Sequence, residues 1–207
     1  MYLHESMYTC GAIQLEYNVE NTLDGTEITF LNEMYNSMLP RTVTYTRYWN
    51  LFSVDRIDIP KDYNDPQWLS IVDKLTKRNP GCYSSMHYFL KYSLGSYCTL
   101  HIDSQKNASR TSVTLINKSD DLVGGEILLK LRKYGLRKGV ITPTEDEIKQ
   151  GRADAPAMKS MQPIITIPQD VGQSAWYLTR NAHGVTCVTK GYRIVLISWY
   201  KNENDQI

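Results

Sequence analysis

The sequence predicts a mainly β domain, a sandwich or jelly roll, supported by helices that come first in the chain. Three observations predict it. From Cys82 onward, short apolar or alternating runs are separated by Gly, Asn, Asp and Pro, the pattern of successive strands and turns. Apart from a short candidate near Thr144, segments with helical spacing lie in the first 80 residues. Tyrosine is abundant, with 15 residues against 3 Phe, and tyrosine favours half-buried β surfaces.

The elements follow in chain order. Thr26 to Leu39 reads as a helix, because Ile28, Leu31, Met34, Tyr35 and Met38 recur at three- and four-residue spacing and Pro40 stands just past the end. A second helix opens at Asp65-Pro66, runs through Trp68, Ile71, Val72 and Leu75, and closes at Pro80-Gly81. Proline just inside a helix start is the favoured arrangement. Strands are expected at about 84–91, 97–102, 111–116, 126–131, 163–168, 174–178, 184–188 and 192–200. Eight short strands with turn signals suit a sandwich or jelly roll. Helices ahead of them suit a layer packed on the outside of the β core.

The stretch from Lys130 to Met161 breaks this rhythm. It carries Lys130, Arg132, Lys133, Arg137 and Lys138, then the acidic Glu145, Asp146 and Glu147. A connection this long is either a solvated insertion or a functional lid. Thr144 to Gln150 has the signature of a short helix, with Thr144 as N-cap and Glu147 three residues on.

A chain of 207 residues with 42% apolar composition fits one domain with one sizeable core, residues 1–207, and not a disordered segment. The net charge of +1 gives no global field to gather nucleic acid or an anionic membrane. Cysteines stand alone at positions 10, 82, 98 and 187. Without a CxxC pair there is no support for a zinc ribbon or a thioredoxin-like site, and reduced cytosolic thiols are the expectation. The opening MYLHESMYTC lacks a basic segment followed by an apolar one, which argues against secretion. No run approaches ~18 apolar residues, so no membrane span is expected. The expected location is cytoplasmic. The sequons at Asn107 and Asn117 carry little weight without a secretory route.

The histidines are at 4, 87, 101 and 183. His101 and Asp103 form an H-x-D pair in YCTLHID. Residues i and i+2 of a strand share a face, so one strand end can present an imidazole and a carboxylate to a single point. Alone the pair is a weak signal, and a structurally satisfied histidine is its commoner explanation. If His183 starts a strand, it shares a face with Val185 and Cys187. Ten residues on, Arg193, Val195, Ile197 and Trp199 share a face. A charge in that apolar company needs an anionic partner. A guanidinium grips a carboxylate with two parallel hydrogen bonds. An internal Asp or Glu, or an outward orientation, would also account for Arg193. Two His and one carboxylate on one side of a metal describe the facial triad of non-haem Fe(II) oxygenases, with coordination positions left open.

Taken together, the second half resembles the prolyl 4-hydroxylase-like branch of the 2-oxoglutarate/Fe(II) dioxygenases. The matching pieces are Tyr92-Ser-Leu-Gly95-Ser-Tyr97-Cys-Thr-Leu-His101-Ile-Asp103, then Ser112-Val-Thr-Leu-Ile-Asn117 with Gly124-Gly125-Glu126, then His183 through Gly191-Tyr-Arg193. The resemblance covers roughly residues 82–200. The first 80 residues carry no motif and by resemblance are helices bracing a double-stranded β-helix (jelly roll).

The resemblance implies Fe(II) at His101, Asp103 and His183, with 2-oxoglutarate as cosubstrate, O₂ as oxidant and ascorbate as an optional reductant. Arg193 matches the residue that pairs with the far carboxylate of 2-oxoglutarate. Tyr92 matches a tyrosine lining the cosubstrate pocket. These residues would carry a hydroxylation coupled to conversion of the oxo-acid to succinate and CO₂. Several relatives carry a tyrosine where this chain has Leu115, which removes one hydrogen bond to the cosubstrate.

The implied substrate is a peptide or protein, with proline as the favoured residue. A nucleic acid or nucleotide is the alternative, because Lys130 to Lys138 could track phosphates with Tyr134 free to stack on a base. A solvated strand face explains that stretch as well. A non-catalytic jelly-roll binding module and a cupin-like metalloprotein complete the alternatives. The former would have no reason to keep all four residues, and cupin sites usually draw on more histidines.

Overall fold

The computed structural model describes residues 9–10, 13–14, 17–48, 51–103, 108–130, 164–179 and 181–203. A small antiparallel pair, β1 (Thr9–Cys10) and β2 (Ile13–Gln14), comes first. Then come β3 (Tyr17–Asn21), helix α1 (Gly25–Ser37), β4 (Val43–Tyr48), β5 (Leu51–Asp58) and helix α2 (Pro66–Thr76). The remainder is β6 (Cys82–His101), β7 (Arg110–Lys118), β8 (Ile127–Lys130), β9 (Ile164–Ile167), β10 (Gln173–Leu178), β11 (Ala182–Val185) and β12 (Arg193–Asn202).

Local chemistry accounts for both helices. Asp24 caps α1 by accepting from the Thr26 and Glu27 amides, while the Glu27 carboxylate accepts from the Asp24 amide. Asp65 caps α2 in the same way, ahead of Pro66. Each cap satisfies amides that have no partner within the helix.

Ten strands form one antiparallel sheet in the order β3-β10-β7-β12-β6-β11-β8-β9, with β5 beside β6 and β4 outside β5. Alternation along the strands sorts side chains onto two faces. On the inner face Tyr88, Leu90 and Tyr92 of β6 meet Val195 and Ile197 of β12, Val113 and Leu115 of β7, and Ala175 and Tyr177 of β10. On the outer face Phe89, Ile116, Trp176 and Leu196 pack against Leu31, Met34, Ile71 and Leu75 of the helices. The helices thus seal one face of the sheet, and the other curls around an interior of its own. This is the jelly-roll architecture expected from the sequence.

Three features differ from the sequence reading. The strands expected at about 84–91 and 97–102 are one 20-residue strand, β6. Gly95 adopts φ 82°, a conformation that costs glycine little, so the chain bends without ending the ladder. Its first part pairs with β12 and its end with β11. The first 80 residues hold more than bracing helices: β3 pairs with β10, and β5 with β6. Finally β11 ends at Val185, so Cys187 leaves the face of His183 and packs with Phe52 and Tyr97 instead. The insertion, apart from Lys130, and the short helix at Thr144 lie outside the described residues.

His87 faces α2 on the outer layer, edge-on to Trp68 with ring centroids 5.0 Å apart. Its ring nitrogens bond the hydroxyls of Ser84 and Ser198. Burial holds its pKa down at about 4. The unfolded chain, titrating near the ordinary value of 6.5, therefore takes up a proton that the native state refuses between those limits. Stability should fall as pH drops from about 6.5 to about 4, by on the order of 2–3 kcal/mol from this group. Urea unfolding at pH 7, 5.5 and 4.5 should show a shallower decline for His87→Gln than for the wild type. Parallel declines would assign the acid sensitivity elsewhere.

Candidate metal centre

The site begins with one cross-strand pair. His183 on β11 stands directly opposite His101 at the end of β6, with ring centroids 4.3 Å apart. Asp103 lies two residues beyond His101, on the same side of the chain. His101 Nε2 is 3.3 Å from one Asp103 oxygen and His183 Nε2 is 3.3 Å from the other. The ligand atoms of all three residues lie within 4.8 Å of one another. The H-x-D pair and the distant histidine are therefore brought together.

The hydrogen bonds behind the rings orient them. His101 Nδ1 is 2.8 Å from the Thr99 carbonyl and His183 Nδ1 is 2.9 Å from the Asn181 carbonyl. A carbonyl only accepts, so each Nδ1 carries the proton and each neutral ring turns its Nε2 lone pair inward. Two lone pairs then face a carboxylate, an arrangement that is repulsive unless a positive charge sits between them. Protons or a divalent cation can supply it.

The protonation equilibria reflect this. Burial alone would lower His101, but the Cys98 sulfur and Asp103 outweigh burial and the opposing His183, pushing it up to about 9. Burial also opposes protonation of His183, yet the Asp103 charge raises it. Burial would raise Asp103, but the two imidazoles hold its carboxyl well below the usual carboxylate range. A cation at this point displaces those protons. Two imidazoles and a carboxylate suit Fe(II) in a site with open positions.

Arg193 opens β12 directly opposite Tyr92 of β6. It points inward and is only 3% exposed. Among the described residues its one hydrogen bond is to a neutral group, Gln169 Oε1, at 2.9 Å. No acidic side chain pairs with it there, and its Nε is buried without a partner. Burial lowers its pKa to about 10, so it stays charged at neutral pH. Of the readings open from the sequence, the outward orientation and the internal Asp or Glu partner are not what the described residues show. Gly125 makes room for it: a Cβ there would lie 2.8 Å from the Arg193 Cδ.

Tyrosines join the charge to the triad. Tyr92, Tyr88 and Tyr177 are all buried on the inner face. Burial, then the Asp103 charge, raises the pKa of both Tyr88 and Tyr177. Burial does the same for Tyr92, opposed by Arg193. All three therefore remain protonated and can donate. The Tyr177 ring lies 4.8 Å from that of His183. Sequence reasoning found Tyr92 but missed Tyr88, which shares its face four residues earlier, and Tyr177, whose alternation with Trp176 carries the same information.

No protein-family model matches the sequence, and no curated protein is significantly similar to it. Solved structures are similar in fold. A Pseudomonas putida prolyl-4-hydroxylase superposes with a TM-score of 0.64 at 13% identity, over 91% of this chain and 94% of that one. HygX from Streptomyces hygroscopicus, solved with nickel, 2-oxoglutarate and hygromycin B, gives 0.62 at 11% identity, over 91% and 84%. A Trichoplax adhaerens prolyl hydroxylase, solved with a hypoxia inducible factor peptide fragment, gives 0.60 at 16% identity, over 92% and 85%. The chain thus has the fold of the 2-oxoglutarate/Fe(II) oxygenases and carries a His-Asp-His cluster.

Proposed function

We propose that this protein is an Fe(II)- and 2-oxoglutarate-dependent oxygenase that hydroxylates a peptidyl substrate, with proline as the target residue. The observation that carries the reading is the pairing of two features on one inner face. One is a two-histidine, one-carboxylate cluster. The other is a buried arginine that hydrogen-bonds no described acidic residue, Glu126 acting on it only through its charge.

His101, Asp103 and His183 would hold the iron. Bound iron and 2-oxoglutarate supply O₂-dependent oxidation that yields succinate, CO₂ and hydroxylated product. The chain supplies position and a dry pocket. Arg193 offers an undischarged guanidinium to the far carboxylate of the oxo-acid, and Tyr92 opposite it offers a protonated hydroxyl. The Thr99 and Asn181 carbonyls keep both imidazoles in the ligating tautomer.

The peptidyl substrate is supported by the prolyl hydroxylases among the fold relatives. The nucleic-acid alternative draws no support from Lys130, the one described residue of its basic stretch, which is buried at 3% exposure. No described helix is long and apolar enough to cross a membrane.

Purified protein with Fe(II), 2-oxoglutarate and O₂ should release succinate, several-fold faster when proline-containing peptides are added. Succinate release that peptides leave unchanged, but that nucleotides or other small molecules stimulate, would overturn the substrate assignment.

A further inference from the structure

We infer that Gln169 is a positioning residue, holding the Arg193 guanidinium in place while leaving its positive charge free for a dicarboxylate. The inference rests on the oxygenase reading and concerns how this chain presents its arginine.

Gln169 sits in the turn between β9 and β10, and its side-chain amide is committed on both ends. Its Nε2 donates to the Val113 carbonyl at 2.7 Å and to the Gln173 carbonyl at 3.1 Å. Both are pure acceptors, so the NH₂ end must face them. The Oε1 end is then fixed toward Arg193, where it accepts from Nη2 at 2.9 Å. The network leaves no second orientation for the amide.

The turn itself is pinned. The Gly172 amide donates to the Leu115 carbonyl at 2.8 Å. The Asp170 amide donates to Gln173 Oε1 at 2.9 Å. Lys118 Nζ donates to the Gln169 carbonyl at 3.3 Å and to Asp170 Oδ1 at 3.1 Å. Gln169 is therefore fastened across β7 and β10, and Arg193 is fastened to Gln169.

The chemical type of the residue matters. A carboxylate in this place would form an internal ion pair and discharge the guanidinium before any ligand arrived. An amide satisfies one N–H and leaves the charge. The buried, unpartnered Arg193 Nε shows that the internal contacts stop short of satisfying the group. A bound carboxylate has both a charge and open donors to meet.

Gln169→Glu is the direct test when set beside Gln169→Met: both give up the Nε2 donors to the Val113 and Gln173 carbonyls, and only Glu adds the charge. Calorimetric titration of 2-oxoglutarate into anaerobic Fe(II)-loaded protein should show at least a tenfold weaker Kd than the wild type. In turnover, KM for 2-oxoglutarate should rise while kcat is largely kept. Both variants should melt below the wild type, because both lose the Nε2 donors to the Val113 and Gln173 carbonyls, so the discriminating readout is the difference in 2-oxoglutarate affinity between them. Gln169→Met, which removes the acceptor without adding charge, should bind 2-oxoglutarate more weakly by a smaller factor. Unchanged affinity in Gln169→Glu would overturn the inference. So would equal weakening in Gln169→Glu and Gln169→Met, the signature of a merely structural role. A wild type that binds iron but not 2-oxoglutarate would overturn the oxygenase reading itself, and this inference with it.

Discussion

Asp103→Ala should abolish iron-dependent turnover. Asp103 is the only carboxylate in the described cluster and touches both imidazoles at 3.3 Å. Losing a partner that merely orients a ligand typically costs 10- to 100-fold in metal affinity or activity, so losing a ligand should cost at least about 100-fold in Fe(II) affinity. The histidines themselves remain fixed by the Thr99 and Asn181 carbonyls, so the fold should survive and the loss should read as a defect of the site. Metal content after gel filtration and succinate release under air measure both halves. An Asp103→Ala protein that keeps stoichiometric iron and wild-type succinate release would remove the residue from the centre.

Arg193→Ala should weaken 2-oxoglutarate binding by about 100-fold, equivalent to about 3 kcal/mol, the scale of charge-assisted hydrogen bonds to a buried carboxylate. Stability should move little by comparison. Arg193 forms no described ion pair whose loss would strand an acid, and its buried charge is a cost to the folded state. The expected signature is lost affinity with a melting temperature close to the wild-type value. Fe(II) affinity should be unchanged, because Arg193 is outside the His-Asp-His cluster. Titrations of 2-oxoglutarate alongside thermal melts separate the two effects. A large fall in melting temperature with unchanged affinity would make Arg193 a structural residue.

Much of the site was legible because it depends on short-range periodicity. H-x-D needs only the alternation of a strand end, and Arg193 with Val195 and Ile197 needs only alternation along β12. The approach of His183 to His101 was legible through the resemblance, since no local rule links residues 82 apart in the chain. Gln169 was not legible at all. It lies on a turn, 24 residues from Arg193, and its role depends on carbonyls of β7 and β10 that only the folded sheet brings near.

The fold shows the same division. Spacing and flanking prolines disclosed both helices. β5 was missed because Ser53, at φ 52°, interrupts its alternation where the register shifts against β6. β3 has little β propensity of its own, and pairing with β10 holds it in place. Leu115, the departure from relatives that carry a tyrosine, stands opposite Val195 in the inner core. The tyrosine hydroxyls of this interior come from Tyr88 and Tyr177 as well as Tyr92.

The most direct test of the central claim is an anaerobic titration of the purified protein with Fe(II) and then 2-oxoglutarate, followed by visible absorption. Chelation of the iron by the oxo-acid should produce a weak metal-to-ligand charge-transfer band in the wild type, and the band should need far more 2-oxoglutarate in Arg193→Ala. Iron bound at one equivalent with no band at any 2-oxoglutarate concentration would contradict the account. The protein would then be a metal-holding jelly-roll module and not an oxygenase.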